Sequence, residues 1–293
     1  MNTLFVTGAT GFVGRRLLPL LGEFARVVCL ARTPPGTAQS PRNVEWVRGD
    51  LGDPAGLVAA LRGVDTVVHL AALTGKAKAE QYTHVNVNGT RALLDAARAA
   101  GVPHFLHVSS VAVKFPDKTG YPYGVSKETA EALVRESGLR HTIVRPAIIL
   151  GAGSPVWKGV APMLKLPVMP MFGDGRTPIQ PIHVDDVAAL LVEVLRRRLF
   201  ANETLEFGGP EVLTFEELLQ RAREKRSGKR AAVLHVPLGP VVGLLSLMEP
   251  LLFSVLPITV GQLSSFRYSG VMDANPLWQE RKAQLRPVSE MLE

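Results

Sequence analysis

Short apolar runs alternate with stretches of helical periodicity along most of the chain. Leu4-Phe5-Val6 is the first run. After it, Phe12, Val13, Leu17, Leu18 and Leu21 recur on one side of a helix. Pro19 lies inside that pattern and predicts a kink or an early end. Arg26 to Arg32 predicts a second strand, Val44 to Leu51 a third, and Val64 to Leu70 a fourth. A short helix is predicted at Leu57 to Leu61, and a long one from Glu80 to Ala100 with Gly101 as its C-cap. His104 to Val108 predicts a fifth strand that runs into Ser109-Ser110, and His141 to Arg145 a sixth. Between them a helix opens near Tyr121, continues to about Arg135 and stops at Gly138. Strands alternating with helices at this spacing predict an α/β fold, a Rossmann-type doubly wound parallel sheet.

Beyond the sixth strand the pattern weakens. Pro155 to Pro181 contains six prolines and reads as loop. Asp185 is predicted to N-cap a helix through Arg196, and Thr214-Phe-Glu-Glu217 is a capping box before another. Residues 231 to 260 are apolar but interrupted by Pro237, Pro240, Pro250 and Pro257. A spanning helix wants about 20 unbroken apolar residues. Short helices are therefore expected, forming a small, mostly helical C-terminal substrate lobe. The expected division is a dinucleotide-binding domain over 1–225, with about 150–182 on the substrate side, and a cap over 226–293.

A chain of 293 residues that is 46% hydrophobic can bury a sizeable core. Cys29, alone in its type, sits in the second strand, so neither a disulfide nor a metal framework can be built from it. No charged-then-apolar leader precedes the first strand, which predicts a cytoplasmic location. The net charge of +7 is scattered, apart from Arg196-Arg197-Arg198 at a helix end. No nucleic-acid module is visible. The charge does add an alternative to the cap, peripheral membrane contact through 231–260. A monomer and a homodimer are both compatible with the sequence.

The candidate chemistry begins at TGATGFVG, Thr7 to Gly14, between the first strand and first helix. Gly8 permits a sharp turn, Gly11 lets a pyrophosphate approach the backbone, and Gly14 allows close helix packing. The N–H groups at the helix start favour a phosphate. At the end of the second strand stand Ala31 and Arg32, with no acid nearby. An acid there would bind the ribose of NAD; an arginine matches the extra phosphate of NADP. NADP is therefore expected ahead of NAD, with Arg42 in the following loop as a second guanidinium. Asp50 could accept from an adenine amino group, and the small pair Ala71-Ala72 leaves room for a ligand. Tyr123 and Lys127 are four apart on a helix and share a face. A phenol titrates near pH ~10. The ammonium is expected to lower that value and make Tyr123 a general acid or base near neutrality.

These motifs, with HLAA (His69 to Ala72), NVNGT (Asn86 to Thr90), VSS, YGVSK and VRPAIILG, resemble the short-chain dehydrogenase/reductase superfamily in its extended and atypical branches. The resemblance covers about residues 2 to 225. It implies a catalytic trio of Ser110, Tyr123 and Lys127, with Ser109 the second choice for the serine. Lys127 would also hold the nicotinamide ribose. Gly8, Gly11, Phe12 and Val13 would lie at the pyrophosphate, with Thr10 and Gly14 in the same turn. Asp50 and Leu51 would lie at adenine, Ala71 and Ala72 near ribose, and Pro146 at the nicotinamide. Compared with sugar-nucleotide epimerases, the loop from Ser110 to Tyr123 is short. The asparagine those enzymes carry after Arg145-Pro146 is missing. The chain is closer to dihydroflavonol-reductase-like and hydroxysteroid-dehydrogenase-like members, and to the accessory NADPH-binding subunit of mitochondrial complex I. Three functions follow from the resemblance. The first is an NADP-dependent oxidoreductase interconverting hydroxyl and ketone on an apolar small molecule. The others are a non-catalytic NADPH-binding structural or assembly protein, and a nucleotide-sugar epimerase or dehydratase. No metal is implied.

Overall fold

In the computed structural model, which describes residues 3–36, 40–256, 258–264 and 266–292, the first strand, β1 (Thr3–Thr7), lies within a seven-stranded parallel sheet. The others are β2 (Arg26–Ala31), β3 (Val44–Arg48), β4 (Thr66–His69), β5 (His104–Val108), β6 (Arg140–Pro146) and β7 (Glu203–Phe207). Their order is β7-β6-β5-β4-β1-β2-β3. Successive side chains of a strand point to opposite faces. So Leu4, Val6, Val27 and Cys29 join one apolar layer, while Phe5, Val28 and Leu30 join the other.

Two helices cover the first face, α1 (Gly14–Leu17) and α5 (Val184–Arg196). Three cover the second: α2 (Pro54–Ala60), α3 (Gly89–Ala99) and α4 (Pro122–Glu136). Pro19 acts as expected, since α1 gives way to a 3-10 turn over Leu18–Leu21. Arg196 and Arg197 at the end of α5 are exposed and paired with Glu23, Glu193 and Glu280.

Beside the sheet lies a second apolar cluster built from Trp157, Met169, Met171, Phe215, Leu218, Leu219 and Met291, among others. It contains α6 (Phe215–Ser227) and a parallel pairing of Val168–Phe172 with Ala232–Val236. Residues 273–292 stitch this lobe to the sheet. The Asp273 N–H donates to Glu206 Oε2 at 2.6 Å and Trp278 Nε1 to the Gly208 carbonyl at 2.6 Å. Trp157 Nε1 donates to the Met291 carbonyl at 2.8 Å.

Several expectations need correction. The helix expected over 80–100 is interrupted by a π-helical stretch, Thr83–Asn88. Residues 155–181 are not simply loop; they hold a helix at Pro155–Val160, a 3-10 turn at Met163–Lys165 and the strand Val168–Phe172. The cap of α5 is His183, whose Nδ1 accepts from the Asp185 N–H, because the helix starts two residues earlier than a cap at the aspartate requires. Thr214 does cap α6, but Glu217 pairs with Arg221 and Arg230. The interrupted segment opens with the strand Ala232–Val236 and continues as one 15-residue helix, α7 (Leu238–Leu252). Pro240 falls in its first turn, where the N–H has no intrahelical acceptor to lose. Residues 37–39 of the loop between Thr33 and Arg42, and Pro257, lie outside the described residues. Among the described residues no helix is long and apolar enough to cross a membrane.

Candidate active site

The strand order places a crevice where β1 separates β4 from β2, at the C-terminal ends of parallel strands. Gly8 makes the turn off β1 with φ +74°. A Cβ there would stand 2.6 Å from the Ala71 nitrogen, so no other residue passes. Gly14 is closed in the same way by Gly8 and Ala9. Gly11 is different: it is exposed, and a Cβ would meet only the Gly8 carbonyl at 3.1 Å. Thr10 is exposed and its carbonyl accepts from Arg15 Nε at 2.8 Å. Phe12 and Val13 are half-buried, and no side chain caps the start of α1. A bare glycine beside an uncapped helix start leaves N–H groups open to an anion, so these residues fit a dinucleotide pyrophosphate.

The remaining expected contacts line the same edge. Arg32 is exposed, one residue past β2. Asp50, beyond β3, is exposed and accepts from the Gly52 N–H at 2.9 Å. Leu51 packs against Gly89. Ala71 and Ala72 follow β4 and are half-buried; the Ala71 N–H donates to Thr7 Oγ1 at 3.3 Å. Pro146 is buried at the end of β6, opposite Phe207 of β7.

The two serines after β5 face different surroundings. Ser110 caps the short turn Val111–Lys114 and also hydrogen-bonds with Tyr123. Ser109 is buried, with no partner in hydrogen-bond geometry, although it lies near enough to Glu131 to favour that carboxylate. Ser110, not Ser109, is thus the serine that meets the Tyr123 hydroxyl. Lys127 is 2% exposed and its Nζ donates to the Val108 carbonyl at 2.7 Å.

The expected electrostatics are not found. Burial pushes the Tyr123 phenol up to about 12, with the Ser110 hydrogen bond as a partial offset. As a residue Tyr123 is half-buried. Burial pulls Lys127 down to about 8, partly opposed by Glu131. Burial dominates both groups, no attraction between the pair offsets it, and the ammonium is directed at a backbone carbonyl. Burial and then the Lys127 charge lower His69, to about 3, and hold His107 neutral beneath the site.

Two buried networks were not assembled by sequence reasoning. In the first, Asn86 Oδ1 accepts from the Leu73 N–H at 2.7 Å and its Nδ2 donates to Ser126 Oγ at 3.0 Å. Ser126 in turn donates to the Tyr123 carbonyl at 2.7 Å. This ties the loop after β4 to the helix that carries Tyr123. The signal lay in the asparagine of NVNGT and the serine of YGVSK. The second is an ion chain. Fully buried Glu131 receives Arg145 at 2.8 and 2.7 Å and Arg135 at 2.7 Å. Arg145 also reaches Glu206 at 3.3 Å, and Glu206 pairs with Lys114 at 2.8 Å. An aromatic wall completes the site. The Tyr82 and Tyr121 rings lie 6.0 and 5.9 Å from that of Tyr123, and Phe115 stacks on Tyr121 at 5.9 Å.

Residues 4–208 match the model of the NAD dependent epimerase/dehydratase family. The ceramide reductase of Caulobacter vibrioides is 33% identical over 76% of this chain and 70% of its own length. The (4-alkanoyl-5-oxo-2,5-dihydrofuran-3-yl)methyl phosphate reductase of Streptomyces griseus is 33% identical over 73% of this chain and 70% of its own. Among solved structures, a double mutant of DesIV, the dTDP-glucose 4,6-dehydratase of Streptomyces venezuelae, superposes with a TM-score of 0.73 and 25% identity. That match covers 98% of this chain and 95% of DesIV, which was solved with NAD bound.

Proposed function

The chain belongs to the NAD-dependent epimerase/dehydratase family, an NAD(P)-dependent oxidoreductase group, and from that premise we propose that it reduces a ketone on an apolar small molecule with NADPH. The observation that carries this reading is the state of Tyr123. A phenol pushed up to about 12 by burial holds its proton at neutral pH. It can donate that proton to a carbonyl oxygen that is gaining charge, although burial makes it a weaker acid than an ordinary phenol. Ser110 shares a hydrogen bond with that hydroxyl and orients the oxygen. Lys127 supplies a positive charge beneath the site below about pH 8. The cofactor, when bound, supplies the hydride. Gly8 to Gly14 would hold its pyrophosphate, Asp50 and Leu51 its adenine, Ala71, Ala72 and Lys127 its ribose hydroxyls, and Pro146 its nicotinamide. Arg32 would pair with the 2′-phosphate. The aromatic wall of Phe115, Tyr121 and Tyr82 suits an apolar substrate, and two relatives are named as reductases.

The test is a screen of purified protein and NADPH against aliphatic and aromatic ketones, with Tyr123→Phe beside the wild type. Loss of a positioned general acid costs about a hundredfold to ten-thousandfold in rate, while NADPH affinity should persist. An unchanged rate in the variant would refute the mechanism. Tight NADPH binding with no ketone turned over would favour the structural or assembly reading. Tight binding of a uridine or thymidine diphosphate sugar would favour the epimerase or dehydratase.

A further inference from the structure

The outer side of α7 is the most apolar exposed surface among the described residues. Leu244, Leu247 and Leu251 recur at helical spacing and are 59%, 77% and 87% exposed. Val255, in the turn that follows, is 75% exposed and continues the same stripe. The inner side is apolar as well, with Leu245 buried against the protein. A helix that is apolar on both sides is normally covered on both. A contiguous leucine surface of this kind marks a site of contact.

We propose that this face of α7, with the turn behind it, seats the protein on the surface of an anionic lipid bilayer. Three observations select that occupant. The length excludes crossing: 15 residues give a helix of about 22 Å, short of the ~30 Å hydrocarbon core. The helix must therefore lie in the interface plane, as amphipathic anchors do. Next, its one acidic residue is turned away from the stripe. Glu249 accepts from the Val260 N–H at 2.8 Å, so no carboxylate on α7 repels a phosphate surface. Finally, the end of the stripe carries cations. The Lys76 and Lys78 ammonium groups lie 4.9 and 6.0 Å from the Phe253 ring centroid. Lys76 also donates to the Leu256 carbonyl at 2.6 Å, which fixes it beside the apolar face. A leucine stripe rimmed by ammonium groups complements acyl chains below and anionic headgroups above. A second copy of the chain, paired through α7, would bring these cations only the Glu249 of its own α7, a carboxylate held by the Val260 N–H.

Docking of this face would also place the candidate active site close to lipid. The short helix Val260–Ser264 follows the turn, and a Cβ on Gly261 would lie 2.9 Å from the Gly120 carbonyl and 3.4 Å from Pro122. Those residues lead into Tyr123. The surface proposal itself does not depend on turnover.

Flotation of the full chain with two kinds of vesicle tests it, phosphatidylcholine alone and phosphatidylcholine mixed with phosphatidylglycerol. The wild type should float with the anionic vesicles at low salt, and less as salt is raised. The double variant Leu247→Glu, Leu251→Glu should lose at least about tenfold in partitioning. Both side chains are exposed, so its melting temperature and NADPH binding should match the wild type and report an intact fold. Lys76→Gln with Lys78→Gln should weaken flotation and remove its salt dependence. The proposal is overturned if the wild type stays at the bottom with both vesicle types, or if the double glutamate variant floats as well as the wild type. It is also overturned if the wild type is a dimer in vesicle-free buffer that the glutamates convert to monomer, since the face is then covered by a second copy.

Discussion

Lys127 should cost this protein stability, and removing its charge should return it. The side chain is 2% exposed, and burial pulls its pKa from 10.5 to about 8. In the unfolded chain it is an ordinary lysine. Between those two values the unfolded state binds more protons than the folded one, so stability rises with pH across the window. Below about pH 8 the full cost applies. At ~1.36 kcal/mol for each tenfold change in proton affinity, the separation amounts to about 3 kcal/mol at pH 7. Lys127→Met removes this cost. It also removes the charge-assisted hydrogen bond to the Val108 carbonyl, worth about 1.5–3 kcal/mol. The variant should thus be up to about 1.5 kcal/mol more stable than the wild type at neutral pH, while reduction is lost. Urea unfolding of both proteins without cofactor measures the difference. Repeating it above pH 10 supplies the control, because the wild type recovers its penalty there and the variant loses its advantage. A variant less stable at pH 7, or a difference that ignores pH, would refute the reasoning.

Arg32→Ala should erase most of a preference for NADPH over NADH while leaving NADH binding nearly unchanged. A charge-assisted hydrogen bond of about 1.5–3 kcal/mol corresponds to roughly one to two orders of magnitude in affinity. Calorimetric titration of both cofactors into the wild type decides the premise, and equal affinities would make Arg32 a surface residue only. Should the single variant keep part of the preference, adding Arg42→Ala should abolish it. Glu131→Ala should destabilise the fold by about 3–5 kcal/mol, since it leaves Arg145 partly buried without its main partner. A shift in urea midpoint equivalent to less than about 1 kcal/mol would show the ion chain to be dispensable. The Glu131 carboxyl is held below its usual 4.5 by Arg145 against the cost of burial. Its contribution should therefore be present above that value and fade as pH falls through the folded one.

What the sequence revealed depended on how local the cause was. The parallel sheet was legible because each strand is a short apolar run punctuated by its own turn, and Gly8 and Gly14 signal a backbone approach within the same unit. The Tyr123–Lys127 spacing was legible for the same reason. Their proton affinities were not, since burial is set by the whole fold and here dominates both groups. The ion chain was hidden because Glu131, Arg145, Glu206 and Lys114 are drawn from four elements separated in the chain. The pairing of Val168–Phe172 with Ala232–Val236 was hidden likewise, a parallel contact across more than sixty positions. At α7 part of the error was local: Pro240 was read as a break, although in the first turn a proline removes no hydrogen bond.

The stitch made by residues 273–292 has a consequence for the order in which the protein matures. During synthesis the sheet and the second lobe emerge first, and nascent domains generally fold from the N-terminal side. Glu206, already next to Arg145, then waits for the Asp273 N–H, and Trp157 waits for the carbonyl of Met291. Until that late segment arrives, the candidate cofactor cleft stands beside a lobe not yet fastened to it.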